Sequence, residues 1–336
     1  MAGTETPPTD VTREPSVHSG TVIDGRRLLR TRARRLFAVS LVVGVAAAAT
    51  GCVPAPPAPK TVYDAACEGA LVASSPGTVT NGAVVELSGL VASRANAGVW
   101  WLHNDSGAGV RNVVYAVGDD GRDLGAFRVT NATNVDWEDI AVGPGPAAGT
   151  TYVYVADIGG NAVARNAVVV YRFAEPVVSA SVPSGAVDVT AEKLTLTYPA
   201  SATPDAEALV VDPVSGELFV ITKVFSGSAV VYRAPANLAD GTTTALTQVG
   251  TVPVALVTAA DVTAEGGFVA LRTYGAVHIY PRPEGQPLAA AFSQAPCAGA
   301  TAAEAQGEAI GFTADGRGYV TASEGTSPVL HQFRAP

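Results

Sequence analysis

The 336-residue sequence predicts an all-β protein, a β-propeller of five four-stranded blades closed by an N-terminal strand. Valine and alanine dominate an apolar fraction of 48%, and Gly (35) and Pro (23) recur between the apolar runs. That composition favours short strands joined by tight turns. Three sequence elements also recur five times in a fixed order at a period near 50 residues, the mark of propeller blades and not of helical solenoids.

The first element is a small or acidic residue followed by an aliphatic: Ser88-Gly89-Leu90, Glu138-Asp139-Ile140, Glu207-Ala208-Leu209, Ala260-Asp261-Val262 and Glu308-Ala309-Ile310. About ten residues on comes a strand-like run: Val99–His103, Tyr152–Ala156, Leu218–Thr222, Phe268–Arg272 and Tyr319–Ser323. Turn formers such as Asp212-Pro213-Val214-Ser215-Gly216 and Asp315-Gly316 separate the two. The third run ends in an aromatic, at Tyr115, Tyr171, Tyr232, Tyr280 and Phe333. Outer strands are expected at Leu124–Thr130, Val189–Tyr198, Ala245–Val252 and Leu288–Gln294. The fifth copy runs out of chain at Pro336, so its outer strand must come from before the first blade, from Gly69–Ser74 or Thr78–Val85. A sixth, divergent blade has room in the long first-to-third interval or in 281–306, and a sandwich or open stack of repeats is the competing architecture.

The sequence divides into a leader and export signal (1–52), a Pro-rich linker (53–66) and the propeller (67–336). Residues 1–25 are polar and aperiodic and are expected to be disordered. Six arginines in Arg26–Arg35 precede the uncharged Leu36–Thr50, which is too short as a helix to cross a hydrocarbon core of about 30 Å. A basic region, a short apolar region and small residues make an export signal. Ala49-Thr50-Gly51-Cys52 resembles a lipobox, in which Cys52 would be lipidated and tether the protein to the cell membrane from outside the cytoplasm. A short N-terminal membrane anchor is the other reading. Arg34-Arg35-Leu36-Phe37 also resembles a twin-arginine motif. Val53–Lys60 would then be a stiff spacer.

Residues 1–52 carry seven of the 21 basic side chains and four of the 30 acids, which leaves 14 basic and 26 acidic residues in the body. An acidic body offers phosphate no cationic surface, so nucleic acid is excluded as a partner. In an oxidising compartment Cys67 and Cys297 are expected to pair and staple the two ends of the propeller, the alternative being two unrelated buried thiols.

In a propeller the starts of the inner strands and the loops after the second strands meet at one mouth of the central channel. Glu138, Glu207 and Glu308 share one repeat position, with Asp261 shifted by one in the fourth copy. Hard carboxylate oxygens gathered there suit a divalent cation, Ca²⁺ above all. Asn104, Asp105, Asp136, Asp157, Asp205, Lys223, Arg272 and Glu324 are further candidates for holding a small-molecule or protein ligand. The competing possibility is that the acids pair with Lys223 and Arg272. Other chemistries find no pattern: there is no Gly-x-Ser-x-Gly elbow, and the four histidines lack zinc spacing. Gly143–Gly149 matches a dinucleotide motif by letter only, because its prolines make it a hairpin loop.

The phrases Asn104-Asp105-Ser106-Gly107, Asp136-Trp137-Glu138-Asp139-Ile140, Asp157-Ile158-Gly159, Asp205-Ala206-Glu207-Ala208-Leu209 and Gly307-Glu308-Ala309-Ile310 resemble those of a family of secreted bacterial β-propellers. More distantly, they resemble phytase-like and gluconolactonase-like propellers. The resemblance spans roughly residues 85–335. It implies a divalent ion in the channel and, in some members, hydrolysis of phosphate esters or lactones. Three functions stay open: a tethered binding or scaffolding module, a metal-dependent hydrolase that would need an open position on its ion and a base such as Asp105 or Asp157, and a structural envelope protein with a mouth blocked by side chains.

Overall fold

The computed structural model describes residues 59–107, 111–160, 164–179, 181 and 184–336. The leader, its arginine cluster and Cys52 lie outside them, as does Asn161. The remainder is a propeller of five blades, each an antiparallel sheet of four strands. From the axis outward, blade 1 is Leu87–Ala92, Val99–Asn104, Val113–Gly118 and Asp123–Val129. Blade 2 is Trp137–Pro144, Thr151–Asp157, Ala167–Ala174 and Glu192–Thr197. Blade 3 is Ala206–Val211, Leu218–Thr222, Ala229–Ala234 and Thr247–Val252. Blade 4 is Val257–Val262, Phe268–Thr273, Val277–Pro281 and Cys297–Gly299. Blade 5 is Gly307–Phe312, Gly318–Ser323 and Val329–Arg334, completed by Val72–Thr78 from the N-terminal side.

That last pairing, Val72 opposite Arg334 through Thr78 opposite Val329, closes the ring. The closing strand, Val72–Thr78, overlaps the end of the first segment expected from the sequence and the first residue of the second. Among the described residues neither the first-to-third interval nor 281–306 holds a sixth blade. Val187–Val189, between the second and third repeats, adds a short parallel strand to the rim of blade 1, and Thr243–Ala245 does the same for blade 2. Both edges are thereby covered by the neighbouring connection.

Inner strands are buried at every position or all but one, because each is packed between the two blades beside it. The alternate faces of successive blades meet in one apolar layer per interface. Between blades 3 and 4 the layer comprises Ala208, Val210, Phe219, Ile221, Ala260, Val262 and Leu271, among others. The hairpins between first and second strands turn as expected: Gly216 and Gly316 adopt φ of 76° and 65°, a conformation that costs glycine little. Asp212 accepts the amide of Val214 at 3.1 Å, and also clamps Arg282 of blade 4 at 2.9 Å.

Two boundaries differ from the expectation. The linker ends early: Val62–Cys67 is a helix, capped reciprocally by Thr61 and Asp64, with Val62, Ala65 and Ala66 buried. The outer strand of blade 4 is Cys297–Gly299, whereas Leu288–Ser293 forms a 3₁₀ helix that buries Leu288, Ala291 and Phe292. An apolar run of this length can be strand or helix, and here Pro287 starts the turn. Cys67 and Cys297 do form a disulfide, Cα to Cα 4.9 Å, which ties the helix before the closing strand to the rim of blade 4. No helix among the described residues is long and apolar enough to cross a membrane.

Candidate cation site at the channel mouth

Every inner strand carries a bulge near its first residue. Trp137 pairs with Asp157 and Asp139 with Ala156, so Glu138 has no partner across the ladder. The same slip leaves out Glu207 in blade 3, Thr258 in blade 4 and Glu308 in blade 5, and Ser88-Gly89 in blade 1. A bulge re-aims the extra side chain, here into the mouth where the second strands end.

Asp105, Asp136 and Glu138 come together there, each offering an oxygen within 4.8 Å of the others. Oxygens bound to one Ca²⁺ at about 2.4 Å can be no further apart than about 4.8 Å, so the three fit a single ion. Glu138 is 3% exposed, and its Oε1 is buried with no hydrogen-bond partner. Burial pushes its carboxyl well above the ordinary carboxylate range, and Glu207, Asp105 and Asp136 push the same way. Burial likewise raises Asp105 to about 6. Asp136 accepts from the Ser106 hydroxyl at 2.9 Å, and Asn134 holds the Asp105 carbonyl at 2.7 Å, so the loop that carries Asp105 is fixed over the strand that carries Glu138. Gly159 completes the cradle. A Cβ there would lie 2.0 Å from Glu138 Oε1 and 2.5 Å from Asp136 Oδ2, so only glycine leaves room for both carboxylates.

The other candidates take different places. Glu207 forms an ion pair with Lys223, which also donates to the Tyr274 hydroxyl at 2.7 Å and lies 4.8 Å from that ring's centre. Burial pushes Glu207 up with Lys223 pulling against it, and its Oε2 stays unpartnered. Burial opposes the Lys223 charge, yet Glu207 and Tyr274 hold the ammonium above its ordinary value. Glu308 accepts from Gln306 at 2.9 Å. Burial and Glu86 raise Glu324 to about 7. Asp205 accepts the Gly160 amide at 2.8 Å.

Four candidates are tied into the fold. Asn104 accepts the amides of Val85 and Glu86 at 2.9 and 3.1 Å and donates to the Ala83 carbonyl at 2.8 Å. Asp157 pairs with Arg165 at 2.7 Å and accepts the Asp136 amide at 3.2 Å. Arg272, fully buried, pairs with Glu304 at 2.5 Å, and Glu304 also accepts from Thr321 at 2.6 Å. Asp261 does not join the mouth. The bulge residue of blade 4 is Thr258, and Asp261 lies three residues further along the strand, where it accepts the Phe312 amide of blade 5 at 2.7 Å. Tyr274, Arg165 and Glu304 are partners that sequence reasoning did not single out. Tyr274 and Arg165 stand in the loops after second strands, where spacing alone could have flagged them.

No protein-family model and no curated protein sequence matches the chain. Among solved structures it is similar to the PQQ-bound form of aldose sugar dehydrogenase from Streptomyces coelicolor. The identity is 13% and the TM-score 0.43, over 79% of this chain and 98% of that one.

Proposed function

We propose that the protein is an exported propeller, tethered to the cell membrane by a lipid on Cys52, that acts as a binding module and holds a divalent cation, Ca²⁺, at its channel mouth. The carrying observation is the Asp105–Asp136–Glu138 group with the unpartnered, buried Glu138 Oε1. Three acids in a desolvated pocket repel one another, and a hard cation removes both the repulsion and the orphaned acceptor. Water or a ligand oxygen would fill the remaining coordination positions. The hydrolase reading is weaker, because Asp157, one of its two candidate bases, is engaged by Arg165 and by backbone amides.

Calorimetric titration of the metal-free protein with CaCl₂ tests this. One site per chain is expected, and free Ca²⁺ at a hundred times its Kd should stabilise the fold by about 2.7 kcal/mol. For a domain of this size that is a Tm rise of roughly 5–10 °C. Gly159→Ala, which pushes a methyl into the cradle, should abolish the response. Absence of both heat and Tm change in the unaltered protein would refute the site.

A further inference from the structure

Asp261, left out of the mouth, lines a second site. The ends of three inner strands and the turns that follow them enclose a cavity of about 400 Å³ at the opposite opening of the channel. Blade 1 contributes Val91, Ala92 and the turn 93–97, blade 4 contributes Asp261, Val262 and Ala264, and blade 5 contributes Phe312, Thr313 and Ala314. Three blades can share a cavity only close to the axis.

Its walls are small and apolar, with two charges of opposite sign. Asp261 is 5% exposed, and its Oδ2 is fixed by the Phe312 amide at 2.7 Å. Burial pushes its carboxyl up to about 6, while the amides of Phe312 and Val262 and the charge of Arg94 favour its ionised form. Arg94 forms no ion pair among the described residues. Its backbone is nevertheless held: Glu175 accepts the amides of Arg94 and Ala95 at 3.0 and 3.1 Å and the Trp101 indole N–H at 2.8 Å. A rigid turn thus presents an unpaired guanidinium to an apolar slot containing a buried carboxylate.

We propose that this cavity binds a small apolar zwitterion, an α-amino acid or dipeptide, with its ammonium on Asp261, its carboxylate on Arg94 and its side chain against Val91, Val262 and Phe312. A guanidinium accepts a carboxylate bidentately, and a fixed carboxylate is the matching partner for an ammonium. Pockets of a few hundred Å³ with apolar walls and a few placed polar groups are the ordinary form of a small-molecule site. The site is separate from the cation cluster and does not depend on it.

The test is calorimetric titration of the purified protein with L-leucine and with L-alanyl-L-leucine. The controls are 4-methylpentanoate, which lacks the ammonium, and 3-methylbutylamine, which lacks the carboxylate. At least one zwitterion should bind below about 1 mM, with both controls weaker by about tenfold or more, as expected for the loss of one charged partner. Arg94→Gln, at the lip, should weaken binding about tenfold or more with Tm unchanged. Asp261→Asn keeps an acceptor for the Phe312 amide and should weaken binding similarly. Glu138→Gln should leave it intact. The proposal is overturned if neither zwitterion binds at 10-fold that concentration, if a control binds as well, or if Arg94→Gln has no effect.

Discussion

At the scale of single residues the mouth is a set of carboxyls that hold protons the unfolded chain would release. A carboxyl whose folded pKa is raised favours the fold at low pH, and that advantage is lost as pH climbs from its ordinary value to its folded one. Buried His103, lowered to about 4 by desolvation, works the other way below its ordinary value of 6.5, because only the unfolded chain charges it there. The clean window therefore lies above about pH 6.5, where Glu324, raised to about 7, and Glu207, raised to about 8, still change charge; Glu138 is raised by burial in the same direction. Differential scanning calorimetry of the metal-free protein should show Tm falling between about pH 6.5 and 8.5, and millimolar Ca²⁺ should flatten the fall. Calcium should accordingly bind more tightly at pH 8 than at pH 6, with proton release on binding. In the sequence, Glu138, Asp105 and Asp136 could be singled out because position in the repeat sorts acids by face. That the three lie close enough to share one ion could not, because the distance from the Asp105 loop to Glu138 is set by folding. The bulge misled the assignment of Asp261: aligning aliphatics placed it one position from the glutamates, whereas ladder pairing puts Thr258 there.

At the scale of elements, inner strands are fastened to one another by acids that are not at the mouth. Asp139 Oδ2 accepts the Leu209 amide at 2.8 Å and the Ala260 amide at 3.1 Å, so one side chain of blade 2 holds the inner strands of blades 3 and 4. Asp261 does the same for blade 5. Asp139→Ala strands three buried amides, those of Leu209, Ala260 and Ile140, and should cost about 3–5 kcal/mol in urea unfolding. A loss below about 1 kcal/mol would mean that the clasp is dispensable. Second and third strands were readable in the sequence, since alternation and a terminal aromatic recur in each blade. Outer strands were less so, because a rim strand is half exposed and short. Leu288–Ser293 shows the limit: its apolar run buries one face as a 3₁₀ helix, and the strand that follows is only Cys297–Gly299.

At the scale of the molecule, a ring assembled from sequential hairpins is closed by one non-local pairing, that of Val72–Thr78 with Val329–Arg334. The disulfide Cys67–Cys297 spans 230 residues and locks the segment leading into that strand. A loop of that length makes the cross-link worth up to about 5 kcal/mol through the unfolded chain. Cys67→Ser/Cys297→Ser should therefore lower the urea midpoint sharply with the strand content by circular dichroism retained, and an unchanged midpoint would count against a closing role. Closure was legible because the fifth repeat lacked an outer strand and the cysteines lay near the two ends of the body.

The acidic cluster of Asp105, Asp136 and Glu138 unites these scales, since a bulge, a loop and a glycine in two neighbouring blades must agree to build it. The most direct measurement is a crystal structure of the protein grown with Ca²⁺, located by anomalous scattering after exchange for a lanthanide. A single peak about 2.3–2.6 Å from oxygens of Asp105, Asp136 and Glu138 is the predicted result. A mouth without an ion, or an ion bound elsewhere while those three carboxyls keep their protons, would contradict it.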